Sequence, residues 1–333
     1  MNAEASWRAH AGRLRAFMSV KHRTIAVSVL RICLGTTILV YYAQHLFQRE
    51  FLWGDTGVVP FSTFLRIMRA QHNLSLYLLS PSPVYHSLVF YLGMLVAVAF
   101  IMGYRTRIAT VLFYVFTWSL YTRSWFLLTG GDNLLYLLAF YLMFADCGAC
   151  FSVDAWLRRN RAKPDNPFAA MPHNFAVLAI IVQLSLLYFT SAFFKIQGHM
   201  WQDGTAIYYI LRTAEFNLSP LAHYFYDSGA VVTLLTWFTI VFQMAWPFLI
   251  WNRRAKPFVF LGALTLHSMI GYFMGLVWFS FVMISAELAI FDDSELIRFA
   301  DFVQSLTRRL QPQHSPIPVS ASTTQPDRSS ALL

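Results

Sequence analysis

The sequence predicts an all-α protein whose helices form a polytopic transmembrane bundle of about eight spans. Of its 333 residues, 57% are hydrophobic and only 12% are charged, whereas a soluble domain carries about 25% charged residues. Aromatic residues make up 17% of the chain, and such rings gather at membrane interfaces. The expected partner is therefore the lipid bilayer. The net charge of +9 lies mostly in short connectors and does not indicate nucleic-acid binding.

Apolar runs long enough to cross ~30 Å of hydrocarbon as a helix place the spans along the chain. The predicted spans are residues 24–47, 84–103, 108–128, 133–150, 174–195, 229–251, 257–276 and 277–292. The fourth and the eighth are short, so either could be re-entrant instead. The last two form one apolar run that is too long for a single crossing, and Gly271 and Gly275 mark a turn or close-packed reversal within it.

The distribution of positive charge sets the predicted orientation. With the N-terminus inside, the inner segments hold 18 of the 25 Lys and Arg residues and the outer segments hold six. Cytoplasmic loops carry the excess of such residues, so we expect a plasma (inner) membrane protein with both termini in the cytoplasm. The predicted parts are a basic N-terminal segment (1–23), a transmembrane domain (24–295) and a tail (296–333). The tail is rich in Pro, Ser, Thr and Gln and is expected to be disordered from about residue 311.

Two predicted outer segments, residues 48–83 and 196–228, are long and mix aromatic with polar residues. This composition is typical of short amphipathic helices that lie in the membrane interface, rather than of free loops. We expect the two segments to cover a cavity between the helices on the outer face.

Three ionisable side chains fall inside apolar spans: Arg31, His267 and Glu287. A charged residue at membrane depth normally faces the protein interior and has a partner, so each is a candidate binding residue. Arg31 could instead extend to the inner surface, and His267 could be a hydrogen-bonded packing residue. We expect Arg31 and Glu287 to face the interior and to pair with each other, with His267 or with backbone carbonyls.

Lys195 closes the fifth span on the outer side, where positive residues are disfavoured. A lysine amine that is partly removed from water can act as a base or nucleophile, and Lys195 is the candidate catalytic base. The alternative is an interfacial anchor, whose charge extends to the headgroups.

The residues after Lys195 are the candidate surroundings of its amine. Trp201, Asp203 and Gly204 follow closely, and Asp203 could either cap the next helix or pair with Lys195. Tyr208 and Arg212 lie four residues apart and can share one helix face, which would put Arg212 near an anionic ligand.

Two further motifs have simpler interpretations. Asp132 follows a glycine pair and is predicted to be the N-cap of the fourth span, although it is also a candidate binding residue. Cys147 and Cys150 form a lone C-x-x-C without a second pair or a histidine cluster, so no metal site is expected.

An ordered set of motifs resembles a known family. The stretches are LRICLGTTILVYY, WGDTGVVP, GYRTRIATVLF, LTGGDNLLYLLAFYLMFADCGACFSVD and YFTSAFFKIQGHMWQDGTAIYYIL. They resemble the HTTM (horizontally transferred transmembrane) domain, the membrane part of the vitamin K-dependent γ-glutamyl carboxylase superfamily. The resemblance covers roughly residues 20–295 and is closest to bacterial stand-alone members of the sporulation-delaying protein B type.

The resemblance implies roles for particular residues. In the carboxylases a lysine in a YF-x-A-G-x-K-K-L segment deprotonates vitamin K hydroquinone, and the second lysine of that segment falls on Lys195, with Phe194 in place of the first. A vitamin K-like quinone is therefore the candidate cofactor. The family's histidine before the fourth span is replaced here by Gly130-Gly131-Asp132, and we expect no counterpart of the large domain that grips carboxylase substrates.

Three functions remain open on these grounds. By resemblance to the sporulation-delaying protein B type, the chain is a maturation or export factor that acts with a small accessory protein on a secreted peptide precursor. The first alternative is a lysine-dependent quinone oxygenase or carboxylase-like enzyme. The second is a non-catalytic transporter or lipid-binding scaffold.

The charge distribution predicts the outcome of topology mapping. Reporter fusions after residues 80, 165, 215 and 255 should read out, in, out and in, because the basic connectors stay cytoplasmic. A cytoplasmic signal at residue 215 would contradict the outer placement of the Lys195 segment.

Overall fold

The computed structural model describes residues 6, 12, 17–159, 167–216 and 219–310, and the part of the chain it describes is all-α. Eight helices correspond to the eight predicted spans. They are α1 (Thr24–Gln44), α2 (Pro83–Met102), α3 (Thr106–Arg123), α4 (Gly130–Leu142), α5 (Pro167–Ile196), α6 (Gly229–Leu249), α7 (Lys256–Met274) and α8 (Val277–Glu287). The predicted helical bundle is thereby confirmed.

Five of these helices, α1, α2, α5, α6 and α7, are long and apolar enough to cross a membrane. Helix α3 has 18 residues, whereas α4 has 13 and α8 has 11. The two helices expected to be short are therefore the shortest. Whether α3, α4 and α8 cross completely stays a prediction.

The fourth predicted span ends too late, because α4 stops at Leu142 and residues 143–150 form turns. These turns let the chain pair with distant groups. Asp146 accepts a hydrogen bond from Lys21 Nζ at 2.5 Å, and its backbone N–H donates to His173 Nδ1 at 2.9 Å. A continued helix would carry Asp146 away from both partners.

Short helices occur, as predicted, in both long segments that were expected on the outer side. The first contains Arg49–Trp53 and Phe61–Ala70, and the second contains His199–Gln202, Ala206–Arg212 and His223–Tyr226.

The turn between α7 and α8 also has the expected glycines. Gly275 takes a left-handed φ of 72°, which favours glycine. A Cβ on Gly271 would lie 3.2 Å from Ser280, so this glycine allows α7 and α8 to approach closely.

Helix α8 lies inside the bundle, where it contacts α1, α4, α5 and α7. Its buried residues are Ser280, Val282, Met283, Ser285, Ala286 and Glu287. Because neighbours cover so much of this short helix, any polar side chain it carries must find its partner within the protein.

Two helices have N-termini capped by aspartates from distant parts of the chain. Asp293 accepts hydrogen bonds from the backbone N–H groups of Thr24 and Ile25, at the start of α1. Asp154 accepts from the N–H groups of Arg105 and Thr106, at the start of α3. Partial burial would raise the pKa of Asp154, but these bonds and the charge of Arg158 outweigh it, so the pKa lies below its usual value.

Arg31 is completely buried, which excludes the alternative in which it extends to the membrane surface. Its guanidinium donates to the carbonyl oxygens of Phe100 at 3.1 Å and Phe151 at 2.5 Å. Gly103 makes room for this group, since a Cβ there would lie 1.9 Å from Arg31 Nη1. The predicted backbone-carbonyl partners are confirmed.

A second arginine, Arg123, is one of the six Lys and Arg residues that the charge distribution assigns to the outer side. It is completely buried and donates to the carbonyl oxygens of Trp53, Gly54 and Val59. Its guanidinium also lies 4.9 Å from the centre of the Phe64 ring. Arg123 therefore holds the first outer segment against the end of α3.

The compact unit that contains the bundle ends at Asp293, and the residues that follow belong to a second unit. Its described part belongs to helix α9 (Asp293–Leu310), which exposes Ile297, Phe299 and Phe302. The predicted disorder from about residue 311 lies outside the described residues.

Replacing Arg123 should destabilise the first outer segment. Arg123→Leu leaves three buried carbonyl groups without their donor, and we expect a loss of about 3 kcal/mol or more in the free energy of unfolding. Thermal unfolding in detergent measures this, and Arg66→Leu at an exposed position is the control. Equal stability of the two variants would show that Arg123 does not hold the segment.

Candidate functional site

The carboxyl group of Glu287 lies at the end of α8 and is completely buried. The Tyr188 hydroxyl from α5 donates a hydrogen bond to its Oε1 atom. The Nε2 atom of His267, from α7, lies 3.7 Å from the same oxygen. The structure thus confirms that Glu287 faces the interior and that His267 is one of its neighbours.

Tyr188 is the centre of this cluster, and the sequence analysis missed it. Its hydroxyl lies 2.7 Å from His267 Nε2 as well as against Glu287. Its ring stacks on Trp246 of α6, with the ring centres 4.6 Å apart. One signal was available, because Tyr188 stands seven residues before Lys195 and therefore lies on the same face of the helix, two turns away.

Several polar atoms around this cluster are buried without a hydrogen-bond partner among the described residues. They include Glu287 Oε2, His267 Nδ1, Ser280 Oγ, Trp246 Nε1 and Gln243 Oε1. Unsatisfied buried polar atoms are uncommon in folded proteins and require an explanation, such as a bound molecule or water. Their concentration here makes the Tyr188–His267–Glu287 cluster a candidate binding centre.

A pocket of about 590 Å³ lies between α7 and α8, beside the cluster. Its lining is mainly apolar, with His267 and three serines among its polar members. The residues are Ser219, Pro220, His267, Ser268, Gly271, Tyr272, Val277, Ser280, Phe281 and Ile284. A concave apolar surface with a few polar groups is the usual form of a small-molecule site.

Lys195 lies at the end of α5 with its side chain partly buried. Its Nζ atom donates to Ser191 Oγ at 2.5 Å and lies 5.3 Å from the centre of the Trp201 ring. Trp201 therefore does border the amine, as predicted. The described contacts of the amine are thus one hydroxyl and one aromatic face.

The two predicted roles of Asp203 are both wrong. The next helix, Ala206–Arg212, has Thr205 at its N-cap and no side-chain cap. Asp203 is exposed, and the ion pairs of the described residues do not join it to Lys195. Asp203 is instead the C-cap residue of the short helix His199–Gln202.

Gly204 and the pair Tyr208 and Arg212 occupy well-defined positions. Gly204 has a left-handed φ of 72°, and a Cβ there would lie 3.0 Å from Thr233 of α6. This glycine lets the segment turn back against α6. Arg212 donates to the Tyr208 hydroxyl, which confirms the shared helix face, and its guanidinium also lies 5.7 Å from the centre of the Tyr226 ring.

Asp132 is not the N-cap that was predicted. Thr129 is the N-cap of α4, and Asp132 is the third helical residue of a capping box, where it accepts from the Thr129 backbone N–H at 2.7 Å. Its other oxygen accepts from the Tyr121 hydroxyl at 2.9 Å. Both carboxylate oxygens of Asp132 therefore have structural hydrogen-bond partners.

The structure therefore brings the predicted residues together in separate groups. His267 joins Glu287 through Tyr188, Lys195 joins Trp201, and Arg31 contacts backbone carbonyls. The ion pairs of the described residues do not include the alternative pair Arg31–Glu287. Cys147 and Cys150 are free thiols, and the described residues contain no cluster of three or more potential metal ligands.

A helical bundle with five membrane-length helices and buried ionisable groups defines a polytopic membrane protein. The HTTM domain family matches residues 21–295, and the chain belongs to this family. No solved structure matches the chain.

Two curated relatives of Bacillus subtilis (strain 168) are similar to this chain. The uncharacterized protein YitO is 25% identical over 194 residues, which cover 56% of this chain and 61% of YitO. The sporulation-delaying protein SdpB is 24% identical over 204 residues, which cover 59% of this chain and 61% of SdpB. The chain thus spans about three fifths of the length of both relatives.

Removing the Tyr188 hydroxyl should destabilise the bundle. Tyr188→Phe takes away the buried hydrogen bond to Glu287, and we expect a loss of about 1–3 kcal/mol in the free energy of unfolding. The control is Tyr141→Phe, which removes a partly buried bond to Gln183 and should cost ~1 kcal/mol or less. Thermal unfolding of both variants in detergent checks this order, and the reverse order would contradict the central role of Tyr188.

Proposed function

We propose that this HTTM-family membrane protein is a maturation or export factor for a secreted peptide, with the Lys195 region as the site that meets the peptide on the outer face. The observation that carries this proposal is the arrangement at the end of α5, where the Lys195 amine lies against Trp201. The next segment adds Arg212 between two tyrosine rings.

These groups suit an extended peptide at the membrane surface. Trp, Tyr and Arg are the side chains enriched in protein–protein interfaces. The Lys195 amine and the Arg212 guanidinium can bind carboxylate or carbonyl groups of a peptide. The partners of this role are a small accessory protein and a secreted peptide precursor, and the sporulation-delaying protein SdpB is among the relatives of the chain.

The proposal includes the orientation in the plasma (inner) membrane, with both termini in the cytoplasm. The excess of Lys and Arg in the inner connectors supports it. In this orientation α5 ends on the outer side, so that a peptide crossing the membrane would meet Lys195 and Trp201 as it emerges.

A lysine-dependent enzyme is the second candidate function, and one observation favours it. The described ion pairs provide no carboxylate for Lys195, so its amine is not committed to a structural salt bridge. Its described contacts are Ser191 and Trp201. An amine in such surroundings is suited to act as a base.

A vitamin K-like quinone is fitted only in part by these residues. The ring of Trp201 offers an aromatic face next to the Lys195 amine. Asp132, at the position of the family's histidine, is already bonded to Thr129 and Tyr121 and supplies no imidazole. The quinone therefore stays a candidate cofactor of the second function, and no reaction step is assigned to it.

Lys195→Arg tests whether the amine is chemical or only an anchor. Arginine keeps the positive charge and much of the length, but it cannot act as a base. We expect maturation of the peptide to fall at least about tenfold, or ~1.4 kcal/mol in the effective barrier. The measurement is the amount of mature peptide secreted by cells that express the protein with its neighbouring genes, quantified by mass spectrometry.

Lys21→Arg is the matched control, because it retains the charge that pairs with Asp146 at a distant part of the bundle. It should secrete as much peptide as the wild type at equal membrane abundance. If Lys195→Arg does so too, the amine is not a base, and Lys195 acts through its positive charge alone, as a peptide contact or an interfacial anchor. If no peptide depends on the protein at all, the maturation role itself is wrong.

A further inference from the structure

Helix α9 begins at the membrane surface, because its first residue is bonded to the start of a membrane-length helix. Asp293 accepts hydrogen bonds from the backbone N–H groups of Thr24 and Ile25, the first residues of α1. The residue before it, Asp292, has a carboxylate oxygen 3.2 Å from Arg23 Nε. Because α1 is long enough to cross the membrane, the charged residues next to its first turn lie at the level of the headgroups. The start of α9 therefore lies at this level too.

Helix α9 has an exposed apolar face, formed by Phe299, Phe302 and Val303. These residues stand at positions i, i+3 and i+4, which are neighbours on the surface of a helix. Phe299 is 66% exposed, Phe302 is 59% exposed and Val303 is 41% exposed. Arg298 and Asp301 are exposed on a different face. A group of neighbouring apolar side chains that the protein leaves uncovered marks a surface that binds a partner or a membrane.

The charges along α9 indicate a surface that contains anionic lipids. Its acidic residues, Asp293, Glu295 and Asp301, all lie in its first half, and Asp293 is already bonded to α1. Its last turn carries the consecutive arginines Arg308 and Arg309. Each cation near a membrane surface attracts anionic headgroups, and cations combined with an apolar face are typical of helices that lie in the interface. The apolar face and the basic end of α9 therefore suit the same partner, an anionic bilayer surface.

Lipid is the occupant that this position favours. A helix of 18 residues is only marginally stable in water by itself and needs a surface on which to bury its apolar side. The first residue of α9 is held at the headgroups, and the helix is about 27 Å long, so its apolar face stays within reach of the acyl chains. A second copy of the chain or a soluble partner would have to bring a complementary apolar surface to the same place. Lipid is present there whenever the protein is in a membrane.

We propose that α9 binds the surface of the membrane that the bundle spans. It lies along this surface with Phe299, Phe302 and Val303 among the upper parts of the acyl chains, and the arginines of its last turn bind anionic headgroups. The partner of this helix is therefore an anionic lipid surface. The proposal does not depend on the role of Lys195 or on which side of the membrane the helix occupies.

The test identifies what the apolar face contacts. The photoreactive amino acid p-benzoyl-phenylalanine replaces Phe299 in the full chain, which is placed in nanodiscs of phosphatidylglycerol and phosphatidylethanolamine in equal amounts and irradiated. Intact mass spectrometry then separates lipid adducts from links between protein segments. The matched control has the same probe at Ser305, which is also exposed and lies about 120° from Phe299 around the helix. We expect at least about fivefold more lipid adduct at position 299, because an interfacial helix buries only its apolar side.

Each other result at position 299 overturns the proposal. A covalent dimer as the main product would show that a second copy covers the apolar face, and a link within one chain would show that the protein itself covers it. Equal lipid adducts at positions 299 and 305 would show that the helix has no fixed orientation at the surface. The absence of adducts at both positions would show that α9 stands in water.

A second comparison tests the anionic headgroups, with the probe kept at position 299. Phosphatidylglycerol adducts should exceed phosphatidylethanolamine adducts about fivefold, the ratio that ~1 kcal/mol of attraction for a surface cation gives. Arg308→Gln combined with Arg309→Gln should bring this ratio close to one. The control is Arg253→Gln combined with Arg254→Gln, two exposed arginines between α6 and α7, which should leave the ratio unchanged. Equal adducts without these substitutions, or a ratio that survives the loss of Arg308 and Arg309, would overturn the assignment of anionic lipid to the end of α9.

Discussion

The hydrogen bond between Tyr188 and the carboxyl group of Glu287 is the contact on which the centre of this bundle depends. Helix α8 is short, and α1, α4, α5 and α7 all contact it. A carboxyl group carried into such a position has no water to bind, and only another buried polar group can offset the cost. Tyr188 provides that group from α5, and His267 adds a second from α7. Three helices are thus held in one register by a single polar cluster.

Two buried arginines, Arg31 and Arg123, stabilise other parts of the bundle through hydrogen bonds to backbone carbonyl groups. The ion pairs of the described residues give neither Arg31 nor Arg123 a carboxylate partner. Each is fully buried and donates to carbonyl oxygens in the last turn of a helix or in irregular chain outside the helices. A guanidinium has five N–H donors, so one side chain can satisfy several such carbonyls at once. This lets irregular backbone enter the bundle without unsatisfied polar groups, which is the main restriction on non-helical chain at membrane depth.

The sequence predicts the helices well, because their apolar runs are long and their breaks contain glycine or clusters of charge. It also predicts that Arg31 and Glu287 are buried, since the membrane leaves few alternatives for a charge within a span. It does not predict Tyr188 as the partner of Glu287, 99 residues away. A tyrosine in an apolar run looks like any packing residue, and only the rotation of α5 against α8 brings its hydroxyl to the carboxyl group. The roles of Asp203 and Asp132 were wrong for a related reason, because capping depends on where a helix begins to within one residue.

The cap on α1 has a consequence for how the protein is made. The first turn of α1 has no side-chain cap of its own, and its backbone N–H groups bond to Asp293, which lies after the last span. During synthesis α1 enters the membrane first, and its start waits for an acceptor until nearly the whole domain has been translated. The final arrangement of the N-terminal helix is therefore completed last. If translation stops before residue 293, the chain contains all the predicted spans, but the N-terminus of α1 lacks its cap.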